Sequence, residues 1–157
     1  MHLKFFIPLF FIITLVAASA GDFTIIKNAG IEGAIVPAEV AQQERLFGAE
    51  TENFWTPQAK DIELAESKLR AALEKGAKEF PQAQQILKHY NEYRRQYVGL
   101  VIKGRRHIFL NSFPSRDTFS DYTKEWVIVY DGGFWFWTIL YSVEDSEFSE
   151  LQINGEA

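Results

Sequence analysis

The chain has 157 residues, 47% of them hydrophobic, 15% aromatic and 24% charged, with a formal net charge of -5. That length fits one domain, and the apolar and aromatic content excludes disorder of the whole chain because it can supply a core. The acidic balance, with a pI of about 5.2, argues against nucleic acid as a partner, since a phosphate backbone needs concentrated Lys and Arg.

Residues 1–20 have the layout of an export signal. Lys4 precedes an apolar run over 5–16, and Ala18-Ser19-Ala20 matches a small-residue cleavage site, so cleavage is expected before Gly21. The apolar run is shorter than a spanning helix requires, and no later segment is long and apolar enough to span. The expectation is a periplasmic or secreted protein with no membrane span after signal cleavage. The chain has no cysteine, so disulfides and a lipid-bearing N-terminal cysteine are both excluded and stability must come from burial. That combination fits a bacterial exported protein better than a small disulfide-stapled domain.

Residues 21–54 read as a loosely attached N-terminal arm. Phe23-Thr24-Ile25-Ile26 predicts a short strand, and Pro37 followed by an apolar-polar stretch up to Gly48 predicts a short helix. Residues 55–157 read as a single α+β domain. Thr56 as N-cap and Pro57 in the first turn open a helix that presents Ile62, Ala65, Leu69, Ala72 and Leu73, with Glu66 and Arg70 on a more polar face and Gly76 at its end. A second helix begins near Pro81 and presents Ala83, Ile86, Leu87 and Tyr90. After Arg94 the period changes to two. Residues 97–102 and 106–113 predict a hairpin with Gly104 in its turn, 113–125 a polar loop, and 126–130 a third strand. Asp131-Gly132-Gly133 then turns the chain into an aromatic strand over 134–141, and Glu144-Asp145-Ser146 into a last strand over 148–154. The predicted fold is two or three helices packed on one face of a curved antiparallel sheet of about five strands.

Alternation puts Trp135, Trp137, Ile139 and Tyr141 on one face of the aromatic strand and Phe134, Phe136, Thr138 and Leu140 on the other. Neither face is polar, so both need a cover. The helices supply one; the arm, sheet curvature, a second copy or a ligand could supply the other. The motif search yields no catalytic set. His89 and His107 lie on different elements and make no metal site. The acidic turn at 144–147 lacks the pattern of a calcium loop, and Gly132-Gly133 is not followed by a helix that could bind phosphate. No cofactor is expected. The binding candidates are Trp135, Trp137 and Tyr141 on the aromatic strand, and Lys103, Arg105 and Arg106 near the hairpin tip. Those basic residues also serve simply to keep an exposed strand from pairing further.

Arg95-Gln96-Tyr97-Val98-Gly99, Lys103-Gly104-Arg105-Arg106-His107-Ile108, Asn111-Ser112-Phe113, Asp131-Gly132-Gly133 and the ending from Phe148 to Ala157 together resemble a group of small exported bacterial proteins of uncharacterised function. The resemblance covers roughly residues 55–157. It implies a cystatin-like or NTF2-like architecture and brings no catalytic residues with it. The functional expectation is an exported, non-enzymatic binding module, an inhibitor or an envelope accessory protein, with a protein or cell-envelope ligand. The alternative is a small hydrolase or ligand-converting enzyme using Asp117, Asp121, Tyr122 or His107 in a pocket between helices and sheet. A structural role as a homo-oligomer is a third reading.

Overall fold

The computed structural model describes residues 22–28, 30–44, 47–117 and 121–156. The expected signal segment, residues 1–20, lies outside them. The architecture is α+β. Among the described residues it comprises β1 (Thr24–Asn28), β2 (Ile31–Ile35), α1 (Ala38–Glu44), β3 (Asn53–Trp55), α2 (Ala59–Gly76), α3 (Pro81–Lys88), β4 (Tyr93–Ile102), β5 (Arg105–Pro114), β6 (Trp137–Ser142) and β7 (Glu147–Ile153). The strands form one open, mostly antiparallel sheet in the order β1-β2-β4-β5-β6-β7, with β3 also paired to β4.

The segment read as an arm is built into this sheet. β1 and β2 form a hairpin, and β2 runs parallel to the first half of β4, with Gly33, Ala34 and Ile35 beside Arg95, Gln96 and Tyr97. β3 runs antiparallel along the second half, with Trp55 opposite Gly99. β2 and β3 therefore lie end to end along a single side of β4. The sheet gains strands that alternation after Arg94 could not reveal.

Helix α2 starts two residues later than Thr56 and Pro57 predict. Gln58 precedes its first turn, and the Asp61 carboxylate accepts the Gln58 N–H at 2.8 Å. The Thr56 hydroxyl instead accepts the Ala38 N–H at 3.0 Å, tying α1 to the end of β3. The apolar stripe is as expected: Ile62, Ala65, Leu69 and Leu73 of α2 and Ala83 and Ile86 of α3 are buried. All but Ala83 pack in one core with Tyr97, Ile108, Leu110, Trp137, Ile139 and Tyr141 from β4, β5 and β6. Each fully buried aliphatic side chain contributes roughly 1.5–3 kcal/mol, which a chain without disulfides needs. The β4–β5 hairpin closes through Lys103 and Gly104, with φ of 50° and 70°, the two-residue left-handed turn that matches strand twist.

Two expected strands change. Residues 126–130 pair with no strand. They belong to a strap, 121–131, laid across the sheet face opposite α2 and α3 and tacked down by carboxamides. Gln96 Nε2 donates to the carbonyls of Tyr122 and Glu125, Gln96 Oε1 accepts the Val127 N–H, and Asn111 Nδ2 donates to Val127 O. Asn154 Nδ2 donates to Val129 O and Asp131 O. Gln96 and Asn111 are neighbours across β4 and β5, so their carboxamides, with that of Asn154, occupy main-chain groups that a ladder would otherwise take. The aromatic strand begins only at Trp137; Phe134 and Trp135 sit in a 3-10 turn, Gly133–Trp135. Gly132, at φ 92°, lies under Phe136, where a Cβ would approach the ring to 2.5 Å.

The cover of the second face is thereby accounted for. Phe23, Ala34, Val36, Ala41, Val98, Leu100 and Leu140 form a second core, to which Phe47, Phe54, Phe109, Tyr122 and Trp126 add their rings. The N-terminal segment and the strap close over that face.

Candidate functional site

A cleft of about 290 Å³ opens where the strap crosses this second face. Phe47, which follows α1, meets Phe109 of β5 edge-on at 4.8 Å, and both meet Trp126 of the strap, at 6.1 and 6.2 Å between ring centres. Phe136 and Thr138 line the other side. The polar side-chain groups in the wall include the carboxamides of Asn111 and Asn154 and the Thr138 hydroxyl, and among the described residues no ionisable side chain lines the cleft. Concave, aromatic-lined spaces with a few fixed polar groups are the usual form of a ligand site.

The buried face under α2 and α3 carries a different polar feature. Arg95, Ser112 and Trp137 are cross-strand neighbours on β4, β5 and β6. Glu66 of α2 accepts the Tyr97 hydroxyl at 2.8 Å and faces Arg95 Nη1 at 3.5 Å. Rings of Tyr90 and Trp137 flank the guanidinium at 5.1 and 5.6 Å. Burial opposes the charge on Arg95, but the Glu66 carboxylate and the Tyr97 and Tyr90 rings outweigh it, so its pKa lies above the ordinary value. Burial raises the Tyr97 hydroxyl well above the usual phenol range, and Glu66 adds to the effect. Arg95 Nε and Nη2, Ser112 Oγ and Trp137 Nε1 have no hydrogen-bond partner among the described residues. This cluster was not expected: Glu66 was read on the polar face of its helix. Its spacing from Ile62 and Leu69 places it in the apolar stripe, which is the signal that could have found it.

The binding candidates do not gather at one place. Trp137 and Tyr141 are buried under the helices. Trp135 is half-buried, its ring tilted against those of His89, Phe134 and Tyr93, with the Arg116 guanidinium 4.1 Å from its ring centre. Lys103, Arg105 and Arg106 are exposed at the far end of the β4–β5 hairpin, where the turn after β6 neutralises two of them: Arg105 pairs with Asp145 and Arg106 with Glu144. Arg106 also lies over the Trp55 ring at 5.2 Å. The alternative set is likewise spread out. His107 contacts Arg105 O near the hairpin tip, whereas Tyr122 packs on Phe113, six residues away along β5 and hence roughly 20 Å distant. Asp121 is exposed, and Thr123 and Lys124 hold its carboxyl below the usual range. Core side chains fill the middle of the space between helices and sheet, and at its edge a second cleft, of about 200 Å³, opens between the end of α2 and β7, lined by Gly76, Phe80, Phe148 and Leu151 and away from all four residues of the alternative set.

Among the described residues no group of three His, Cys, Asp or Glu side chains is placed to hold a metal ion, and no helix is long and apolar enough to cross a membrane. Phe47, Phe109, Trp126 and Phe136, which make the cleft, were not singled out by sequence reasoning. Phe136 was assigned to the face away from Trp137, but the strap that turns that face into a cleft has no sequence motif. No family model matches the chain, and no curated protein and no solved structure is detectably similar to it.

Proposed function

We propose that the protein is an exported, non-enzymatic binding module whose ligand site is the aromatic cleft under the strap. The observation that carries this reading is the wall of the cleft: three mutually packed rings, Phe47, Phe109 and Trp126, with Phe136 also lining it and no acid, base or cation among the described residues of the wall. Such a wall favours an apolar or aromatic group through burial, and its described residues offer no side chain for proton transfer. Export is supported by the signal-like residues 1–20 and by a cysteine-free chain. A cystatin-like or NTF2-like architecture belongs to the same proposal, supported by two helices packed across one face of a mostly antiparallel sheet.

Amide chemical-shift mapping with indole and with octanoate tests the site. Shifts are expected at Phe109, Val127, Thr138 and the Asn111 side chain, and Thr138→Phe, which fills the cleft from a half-buried position, should abolish them. If neither probe binds, or the shifts map to the hairpin tip and survive Thr138→Phe, the cleft is not the site. For export, the mature chain recovered outside the cytoplasm should begin at Gly21; a chain retaining residues 1–20 would overturn that part.

A further inference from the structure

The strap offers more than one wall of a cleft. Residues 126–130, Trp-Val-Ile-Val-Tyr, are five consecutive strand-forming residues without a charge. Their main-chain groups divide by alternate residues. The Val127 N–H and C=O and the Val129 C=O bond to the carboxamides of Gln96, Asn111 and Asn154, which ties one edge to the sheet. On the other, the N–H and C=O groups of Trp126, Ile128 and Tyr130 make no hydrogen bond among the described residues. The side chains beside that open row are themselves outside, Ile128 59% and Tyr130 89% exposed, and Ile128 also lines the cleft.

Open edges in native sheets are normally guarded by charge or by a bulge. The outer strand β7 follows that rule: it carries Glu147 and Glu150, the latter at φ 55°, and its pairing with β6 is irregular. Residues 126–130 of the strap carry no charge of their own. Instead, two exposed carboxylates, Glu125 and Asp131, bracket it, and neither has an ion-pair partner among the described residues. Alternate donors and acceptors at this spacing match another extended main chain, and a neighbouring pocket then selects a side chain. Acidic ends favour basic residues on either side of that segment.

We infer that the strap accepts an extended polypeptide segment of a partner as an added strand, with a large apolar side chain of that segment in the cleft and basic residues flanking it. The inference rests on the cleft being the binding site proposed above. The probes are seven-residue peptides of the form Lys-Thr-Xaa-Thr-Xaa-Thr-Lys with Phe, Trp or Leu at Xaa, measured by fluorescence anisotropy against the full chain. Each peptide has two further versions, N-methylated at the alternate amides of one edge or of the other.

Strand addition predicts binding by the parent peptide, a loss of at least about tenfold for one methylated version, equivalent to about 1.4 kcal/mol, and no change for the other. Equal binding by both methylated versions would overturn it. If no peptide binds while indole still shifts Asn111 and Thr138, the polypeptide inference fails and the cleft reading stands. If indole fails as well, both fall. If the protein instead forms dimers in light scattering that Ile128→Lys dissolves, and peptides do not compete, the occupant is a second copy and the inference is overturned.

Discussion

Removing the Glu66 carboxylate should be far more damaging than removing it together with its partner. Glu66 and Arg95 are 8% and 2% exposed, and one guanidinium nitrogen faces one carboxylate oxygen at 3.5 Å. In Glu66→Leu the guanidinium stays buried without a counter-charge, a loss of about 3–5 kcal/mol. The Tyr97 hydroxyl also loses its acceptor, which adds about 1–3 kcal/mol, while the leucine regains about 1–2 kcal/mol of apolar burial. The net is about 4 kcal/mol, a large part of the 5–15 kcal/mol that holds a typical domain together. Two further Arg95 nitrogens have no hydrogen-bond partner among the described residues, so hydrogen bonding repays little of the pair's desolvation. Glu66→Leu combined with Arg95→Met should therefore recover at least about 2 kcal/mol relative to Glu66→Leu alone. Urea unfolding followed by tryptophan fluorescence measures both, with the unfolding slope checked for constancy. A double variant as unstable as the sum of the two single ones, or a Glu66→Leu loss below about 1 kcal/mol, would refute the buried-pair account.

Three other outcomes follow from the same packing. Burial is the largest influence on Tyr90, Tyr93 and Tyr97 and raises each hydroxyl above the ordinary phenol value. Raised folded values mean that the stability they confer is complete below about pH 10 and is lost as pH climbs towards them; phenolate absorbance from these residues should appear together with unfolding, and a full rise in a still-folded chain would contradict it. Gln96→Ala strips three main-chain groups of the strap of their partner, for roughly 2–4 kcal/mol, and hydrogen exchange at Val127 should accelerate well beyond that at β5; uniform acceleration would count against the strap as a separately tacked segment. Gly99→Ala would bring a Cβ to 2.2 Å from the Trp55 carbonyl and 2.9 Å from its ring, costing about 1–3 kcal/mol, with a shift in tryptophan emission as the indole leaves the carbonyls of Leu100 and His107; unchanged stability and emission would show that β3 gives way freely.

Where sequence and structure agree, a periodic apolar pattern was read against its own element. Ile62, Leu69 and Leu73, the hairpin around Gly104, and the alternation of Trp137, Ile139 and Tyr141 are of this kind. The strap failed the same reading for an instructive reason. Trp126 to Tyr130 has the alternation of a strand and shows it, with Val127 inside and Ile128 outside, but its hydrogen bonds go to the side chains of Gln96, Asn111 and Asn154. A polar residue on a strand reveals nothing by itself about which main chain it will hold 16 to 31 residues away. The same limit hid the cleft, whose rings come from four separate stretches. It also hid the pairing of β2 and β3 with β4, because partners so distant leave no local mark.

The position of β2 beside β4 has a kinetic consequence. Gly33 and Arg95 are neighbours in the sheet but roughly sixty residues apart in the chain, and α1, β3, α2 and α3 all lie between them. As the chain emerges from its N-terminus, β1 and β2 have only each other, and an isolated two-stranded hairpin is marginal in water. β4 is the template that both β2 and β3 await, and its own antiparallel partner, β5, follows it directly. Assembly should thus start from the β4–β5 hairpin with α2 and α3 against it, and β1 and β2 should be among the last elements to lock. Long-range closure of this kind slows folding, leaving β1, β2 and β3 without their place in the sheet until β4 has been made.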